Sequence, residues 1–516
     1  MPLIRNLMAG GLITTLIATA ACTVEVETPS GTSGLRNAGG TAPLPVPVNP
    51  WLADSPWPVS HQNSYQQGSS PLPGPEAAHT PMGEPHRETG FVNITQAMAP
   101  VYPDGSRVAW GSNVTSIYKV RLSPDYQVLA SVKKPEVGSI SGAYTLVDRD
   151  GRFFAPTKRS IYRFEDEVPG QAASGIRLGA RYDLPADILK TGKDEIVGIN
   201  MTWDGWIAFA TTTGTVGVLS RDFSRSHYLS LPGGEEEDVS NSIALDEDGG
   251  IYVVSTEKMY RVQWTGEQLT LDEEAGAWTA AYETGGDVLI PGRLGKGSGS
   301  TPSLMGTGPE DKFVVITDGR ALTHLVLFWR DKIPADWQPI APGKSRRIAA
   351  EVPVTFGDGN ATQSMSEQSV LVNGYGAVVV NNDYNTKIAP ELDLLADIWS
   401  YITVFRSNKP RVAPYGVEKF QWDPEARKLR TAWTNRSISC PNAIPTMSAA
   451  SGLMYCVGQR RQVWNIEALD WQTGASRFHI PLQRNWPYNS FYAATQIGDG
   501  GSMVYGTFNG VVQLRF

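Results

Sequence analysis

A short apolar strand, a Gly-containing turn and a second strand rich in Val, Ile, Phe and Tyr recur along this chain from about residue 91 onward. The clearest copies are TLVDRDGRFFAPTKRSIYRF (145–164), MTWDGWIAFATTTGTVGVLSRD (201–222), SIALDEDGGIYVVSTEKMYRV (242–262) and LMGTGPEDKFVVITD (304–318). VLVNGYGAVVVNN (370–382), PTMSAASGLMYCVG (445–458) and ATQIGDGGSMVYGTFNGVVQLRF (494–516) follow, and 100–122 is a weaker copy. Asp-Gly or Gly-Gly between two apolar runs is a strong hairpin signal. Several strands in each ~40–50 residues, with no helices between them, signal propeller blades. A β-helix has a much shorter period, and a sandwich array needs linkers that this chain lacks. The expectation is an all-β chain with one eight-bladed β-propeller over 91–516, seven blades being the alternative. The last unit stops after three strands, and an open edge invites aggregation. The Pro-rich segment 51–90, which carries Trp51, Trp57 and Tyr65, is therefore expected to wrap the fold and supply the missing outer strand or brace the closure.

One stretch breaks the β pattern. In PELDLLADIWSYITVF (390–405), Leu392, Leu395, Trp399 and Ile402 share a face at helical spacing. It reads as a helical insertion covering apolar surface on the propeller.

The first 22 residues read as an export signal. Arg5 precedes the apolar run Leu7–Ala21, which is too short to span a bilayer. The run ends in Thr19-Ala20-Ala21-Cys22, so Cys22 is expected to be lipidated, with simple cleavage after Ala20 as the alternative. Val24, rather than Asp, follows closely, which points to outer-membrane sorting in a two-membrane host. Residues 23–50 are rich in Thr, Ser, Gly and Pro and read as a flexible tether. The chain has three cysteines. With Cys22 lipidated, Cys440 and Cys456 are left to form a disulfide in an oxidising compartment.

Several residues resemble a known family. Ser55-Pro56-Trp57-Pro58 and Gly68-Ser69-Ser70-Pro71 look like the lead-in of quinoprotein-like (PQQ-like repeat) β-propellers. Ala468, Asp470, Thr473 and Gly474, with Phe478 in place of a Trp, resemble the blade-locking motif of that superfamily. The resemblance implies that Asp470 and Thr473-Gly474 fix a turn while Phe478 packs between blades. Quinone chemistry is not the expectation here, because the vicinal cysteine pair typical of those enzymes is absent, although some soluble relatives lack that pair and the quinone-dependent alternative stays open. PQQ is therefore not expected as a cofactor.

The composition limits the partners. Lys plus Arg number 44 against 52 Asp plus Glu, a formal charge of -8. No basic excess is available for nucleic acid or for a polybasic membrane patch. Six histidines show no HxxxH spacing, and no Walker A or Gly-x-Ser-x-Gly motif occurs. Glu235-Glu236-Glu237-Asp238 reads as a solvated loop, and Asp246-Glu247-Asp248-Gly249 as a hairpin turn. Polar residues just before innermost strands rim one mouth of a propeller's axis. Asn200, Asn241, Glu367, Asn442 and Asn489 are the candidates there, resembling faintly the Ca²⁺ or other divalent-cation sites of gluconolactonase-like propellers. The reading is an exported, lipid-anchored binding or scaffold module whose partner is an envelope protein or a small molecule. The alternative is an enzyme at the central channel, either a quinone-dependent oxidoreductase or a metal-dependent hydrolase or lyase.

Overall fold

Blade one shows how each repeat folds. Its strands Thr95–Met98, Arg107–Ser112, Ser116–Ser123 and Gln127–Lys133 pair antiparallel in chain order, from the axis outward. The inner strands are buried throughout, and the outermost alternates between exposed and half-buried residues. In this computed structural model, the described residues are 32–34, 45–77, 89–136, 143–189, 194–285, 293, 296–384 and 402–515. The other blades span 146–183, 196–230, 244–281, 303–353, 371–435, 446–481 and 496–514. Each quoted repeat falls in its own blade, which makes the fold an eight-bladed β-propeller and removes the seven-bladed alternative. One apolar cluster fills each interface between consecutive blades, the interface of blade eight with blade one included.

Of the two expected closures, the structure has the brace and, among the described residues, not the added outer strand. Among the described residues blade eight keeps three strands, Gln496–Ile497, Met503–Thr507 and Gly510–Leu514. The 51–90 segment adds no outer strand to it there. Ser69–Ser70 instead pairs parallel with Thr446–Ser448, the innermost strand of blade seven. Closure comes from packing and hydrogen bonds. Trp57 is buried with Met98, Tyr118, Val504 and Val511 from blades one and eight. The Val92 and Asn93 amides donate to the Phe508 and Thr507 carbonyls at 2.9 and 3.0 Å. Gly506 permits this approach, since a Cβ there would stand 1.7 Å from the Asn93 carbonyl oxygen.

Other expectations meet the structure unevenly. Thr32–Gly34, inside the segment read as a tether, forms a fifth strand against Trp433–Asn435. Asn49, in the same segment, is buried and hydrogen-bonded. Cys22, the rest of the export signal, His79, His86 and residues 390–401 lie outside the described residues. Of the helical insertion, residues 402–405 are helical, and Phe405 stacks on Phe508 at 4.1 Å over the upper end of blade eight. The acidic loop is not wholly solvated. Glu237 is buried and accepts hydrogen bonds from Ser255, Tyr260 and Lys258. Asp246 caps its hairpin by accepting the amides of Asp248 and Gly250.

Candidate functional site: the propeller axis

In a propeller the innermost strand of each blade is an edge, and its free backbone groups face the axis. Edge amides left without partners in a buried place cost free energy. Here one segment of the chain, residues 45–77, accepts such amides from six of the eight blades around the lower mouth, where inner strands end. We call it the strap. The Met98 amide of blade one donates to the Trp57 carbonyl at 2.7 Å, and Val147 of blade two to Pro58 at 2.9 Å. Leu245, Leu304 and Val372 of blades four, five and six donate to Ser64, Tyr65 and Gln67, each at 2.9 Å. Met447 of blade seven donates to Gly68 at 3.2 Å. Blade three is reached by side chains: Asn49 Nδ2 donates to the Met201 carbonyl, and Asn200 Nδ2 to the Ser64 carbonyl.

Two charged clamps hold the aromatics of the strap. Arg221 ends the third strand of blade three, lies 4.3 Å from the Trp51 ring and pairs with the buried Asp148 of blade two at 2.8 Å. Arg330 ends the third strand of blade five and lies 4.9 Å from the Tyr65 ring. The Tyr65 hydroxyl donates to Glu247 in the blade-four hairpin. A guanidinium over an aromatic face is attractive, most so when desolvated. Sequence reading missed both clamps, although a signal existed: Arg221-Asp222 and Arg330-Asp331 are the same dipeptide at equivalent strand ends.

Above the strap, side chains from several blades meet on the axis. His61 Nε2 lies 3.3 Å from Ser369 Oγ, which also accepts the Thr301 amide at 3.3 Å. The Tyr144 ring stands 6.1 Å from the His61 ring, and its hydroxyl approaches Thr301 and Ser242. Burial holds His61 down to about 4, so at neutral pH the imidazole is uncharged. This centre of neutral hydroxyls and a neutral imidazole suits hydrogen bonding rather than charge stabilisation. Among the described residues no three His, Cys, Asp or Glu side chains are grouped to hold a metal ion.

The expected mouth residues do not form one constellation. Asn442 and Asn489 come together: Asn442 Nδ2 donates to Asn489 Oδ1 and to Ser407 Oγ, and Asn489 Nδ2 to the Val404 carbonyl at 3.0 Å. The Tyr384 hydroxyl donates to Asn442 Oδ1 at 2.6 Å. These amides therefore fasten the end of the 402–408 segment onto blades seven and eight. Asn241 is elsewhere, donating to the Ser298 carbonyl at 2.9 Å. The Glu367 carboxylate lies against Gly299, 2.5 Å from where a Cβ would stand, and its own amide donates to Asn382 Oδ1. Asn200 is spent on the strap and on the Ile243 carbonyl.

Cys440 and Cys456 form a disulfide with Cα atoms 5.9 Å apart. It ties the loop that carries Asn442 to the second strand of blade seven. In the motif around Asp470, the carboxylate accepts the amides of Gln472 and Thr473 and the Thr473 hydroxyl. Gly474 has φ +70° and lies against Trp433 of blade six, where a Cβ would stand 2.4 Å from the ring. Phe478 is half-buried against Tyr455 and the cluster shared by blades seven and eight. Lys419 of blade six donates to the Trp471 carbonyl, as Lys119 of blade one donates to Ala172 and Ser174 of blade two.

No protein-family model matches the chain. An uncharacterized protein of Archaeoglobus fulgidus is 44% identical over 475 residues, covering 91% of this chain and 89% of that one. Three solved structures share the fold at low identity. The Dos1 propeller is 10% identical with a TM-score of 0.46, covering 84% of this chain and 94% of its own. The periplasmic gluconolactonase PpgL of Pseudomonas aeruginosa is 12% identical, TM-score 0.42, covering 82% and 99%. BamB of Moraxella catarrhalis is 9% identical, TM-score 0.38, covering 72% and 95%.

Proposed function

The chain belongs to one family with the Archaeoglobus fulgidus protein, and we propose that this propeller is an exported, lipid-anchored binding module that engages a protein partner in the cell envelope. The observation that carries the reading is the strap, which occupies the lower mouth with the chain's own residues. Toward the upper mouth the amides of Asn241, Asn442 and Asn489 are committed to internal hydrogen bonds. What the upper face offers is aromatic: Phe91, Tyr144, Phe405 and Tyr492 are partly exposed, and Trp486 is 39% exposed. Partly exposed aromatics in this arrangement suit protein contact better than turnover of a small substrate. The anchor is Cys22, which follows a short apolar run ending in small residues.

The test has two arms. Labelled fatty acid should enter the full chain and be lost in Cys22→Ser. A photo-crosslinker at Trp486 should trap one protein in intact cells, while the same group at Ile340, an exposed loop position, traps none. Equal labelling of Cys22→Ser refutes the anchor. Absence of any upper-face adduct, together with turnover of a small substrate, favours the channel enzyme.

A further inference from the structure

Five Asn-Xaa-Ser/Thr triplets occur in this chain, at Asn93, Asn113, Asn200, Asn360 and Asn435. Such a triplet accepts an N-linked glycan only where the amide is reachable, because the sugar is bulky and hydrated. Four of the five fail that condition. Asn93, Asn113, Asn200 and Asn435 are at most 4% exposed. Each also spends its amide nitrogen on a backbone carbonyl: Gly90 for Asn93, Thr89 for Asn113, Ile243 for Asn200 and Gly474 for Asn435. In these four places the Asn side chain is held inside the fold, and the Ser or Thr two positions on is incidental to it.

Asn360 differs in every respect. It lies in the loop between the outer strand of blade five and the inner strand of blade six, and both Asn360 and Thr362 are exposed. The loop is shaped by its backbone and by Asp358. The Asp358 amide donates to the Thr355 carbonyl, the Ala361 amide to the Asp358 carbonyl, and the Asn360 amide to Asp358 Oδ1, each at 3.0 Å. The Asn360 side chain makes no hydrogen bond among the described residues. No described atom comes within 4 Å of the point where a Cβ on Gly359 would stand, so the loop projects into open space.

We propose that Asn360 is an N-glycosylation site. The proposal rests on the export reading for its compartment, since the glycan donor is membrane-linked. In the transfer, Asn360 Nδ2 attacks C1 of the sugar on a polyprenyl-phosphate- or diphosphate-linked oligosaccharide. The C1–Nδ2 bond forms, the bond from C1 to the phosphate oxygen breaks, and the amide loses one proton. Nothing is oxidised or reduced. The glycan stands at the rim of blades five and six and keeps that sector hydrated, so a protein partner is steered toward the aromatic sector of blades seven, eight and one.

The direct experiment incubates the purified full chain with a single-subunit oligosaccharyltransferase and its polyprenyl-diphosphate oligosaccharide, followed by peptide mass spectrometry. One glycan on the Asn360 peptide is expected, and Asn360→Gln, a loop change that leaves the ring intact, should reduce occupancy to background. No transfer to Asn360, while a free peptide with the same triplet is modified, overturns the proposal, as does sugar on any buried triplet of the folded chain. In protein recovered from its own cells, the Asn360 peptide and the Cys22 fatty acid are read in one sample. Glycan and anchor then stand or fall separately, and a bare Asn360 on a lipid-bearing chain overturns the glycan.

Discussion

Replacing Tyr65 by Ala should weaken the whole ring, although Tyr65 lies outside every blade. The ring is fully buried between blades four and five, in contact with a cluster that includes Tyr252, Trp278 and Phe328. Truncating a buried aromatic costs about 3–5 kcal/mol. The lost guanidinium contact of Arg330 adds to this by an amount on the order of 1 kcal/mol. Tyr65→Phe keeps the ring and removes only the hydroxyl bond to the Glu247 carboxylate, which should cost about 1.5–3 kcal/mol. Urea unfolding of the full chain, followed by tryptophan fluorescence and by circular dichroism, measures both. If the strap is part of the fold, the midpoint falls more for Ala than for Phe, and both probes shift together. Arg330→Met combined with Tyr65→Ala should then cost less than the sum of the two changes, as expected for residues in contact. A Tyr65→Ala loss below about 1 kcal/mol would show that the strap is only draped on the ring, and the reasoning fails.

Two buried titrating groups give opposed pH dependences. His61 has its folded value lowered from 6.5 to about 4, so the unfolded chain gains a proton first as pH falls. Stability should decline between pH 6.5 and 4 by roughly 3 kcal/mol, and His61→Gln should remove that decline. Glu418 accepts the amides of Thr355 and Phe356, yet burial raises it from 4.5 to about 7. The unfolded chain therefore ionises first as pH rises, and stability should fall between pH 4.5 and 7 by a similar amount, a slope that Glu418→Gln abolishes. The slopes partly cancel in the native chain, so denaturant midpoints of the single variants across pH 4–7 are the check; a flat Glu418→Gln-minus-native difference rejects that assignment. Gly474→Ala forces a side chain into a positive φ and against Trp433, and should cost at least about 2 kcal/mol by urea melts. Loss of the Cys440–Cys456 bridge in the double Ser variant removes a closed loop with a sequence separation of 16, worth ~3 kcal/mol in the denatured-chain model; an unchanged midpoint refutes it.

The blades were legible because second strands such as Phe153–Thr157 and Gly250–Val254 are largely apolar runs that follow Gly-containing turns. Outer strands such as Ser476–Pro481 left little trace, since they are mostly exposed and need no apolar pattern. The aromatics Trp51, Trp57 and Tyr65 announced a segment that packs, but not its route. That route follows the free edges of inner strands, and backbone amides carry no side-chain signature. For the same reason an Asn before an inner strand looks alike whether it faces a ligand or, like Asn442, pins a neighbouring loop. Glu237 shows the converse, a charge in an acidic run that is buried because Lys258, Ser255 and Tyr260 converge on it.

The strap occupies the lower axis, and amide hydrogen exchange on the full chain is the measurement that checks it. The amides of Met98, Val147, Leu245, Leu304, Val372 and Met447, each bonded to a strap carbonyl, should exchange only through global unfolding, as slowly as mid-blade amides such as Val253. Exchange of these six by local opening, orders of magnitude faster than Val253, would mean that the strap leaves the axis in the native protein, and the lower mouth would then be open to a ligand.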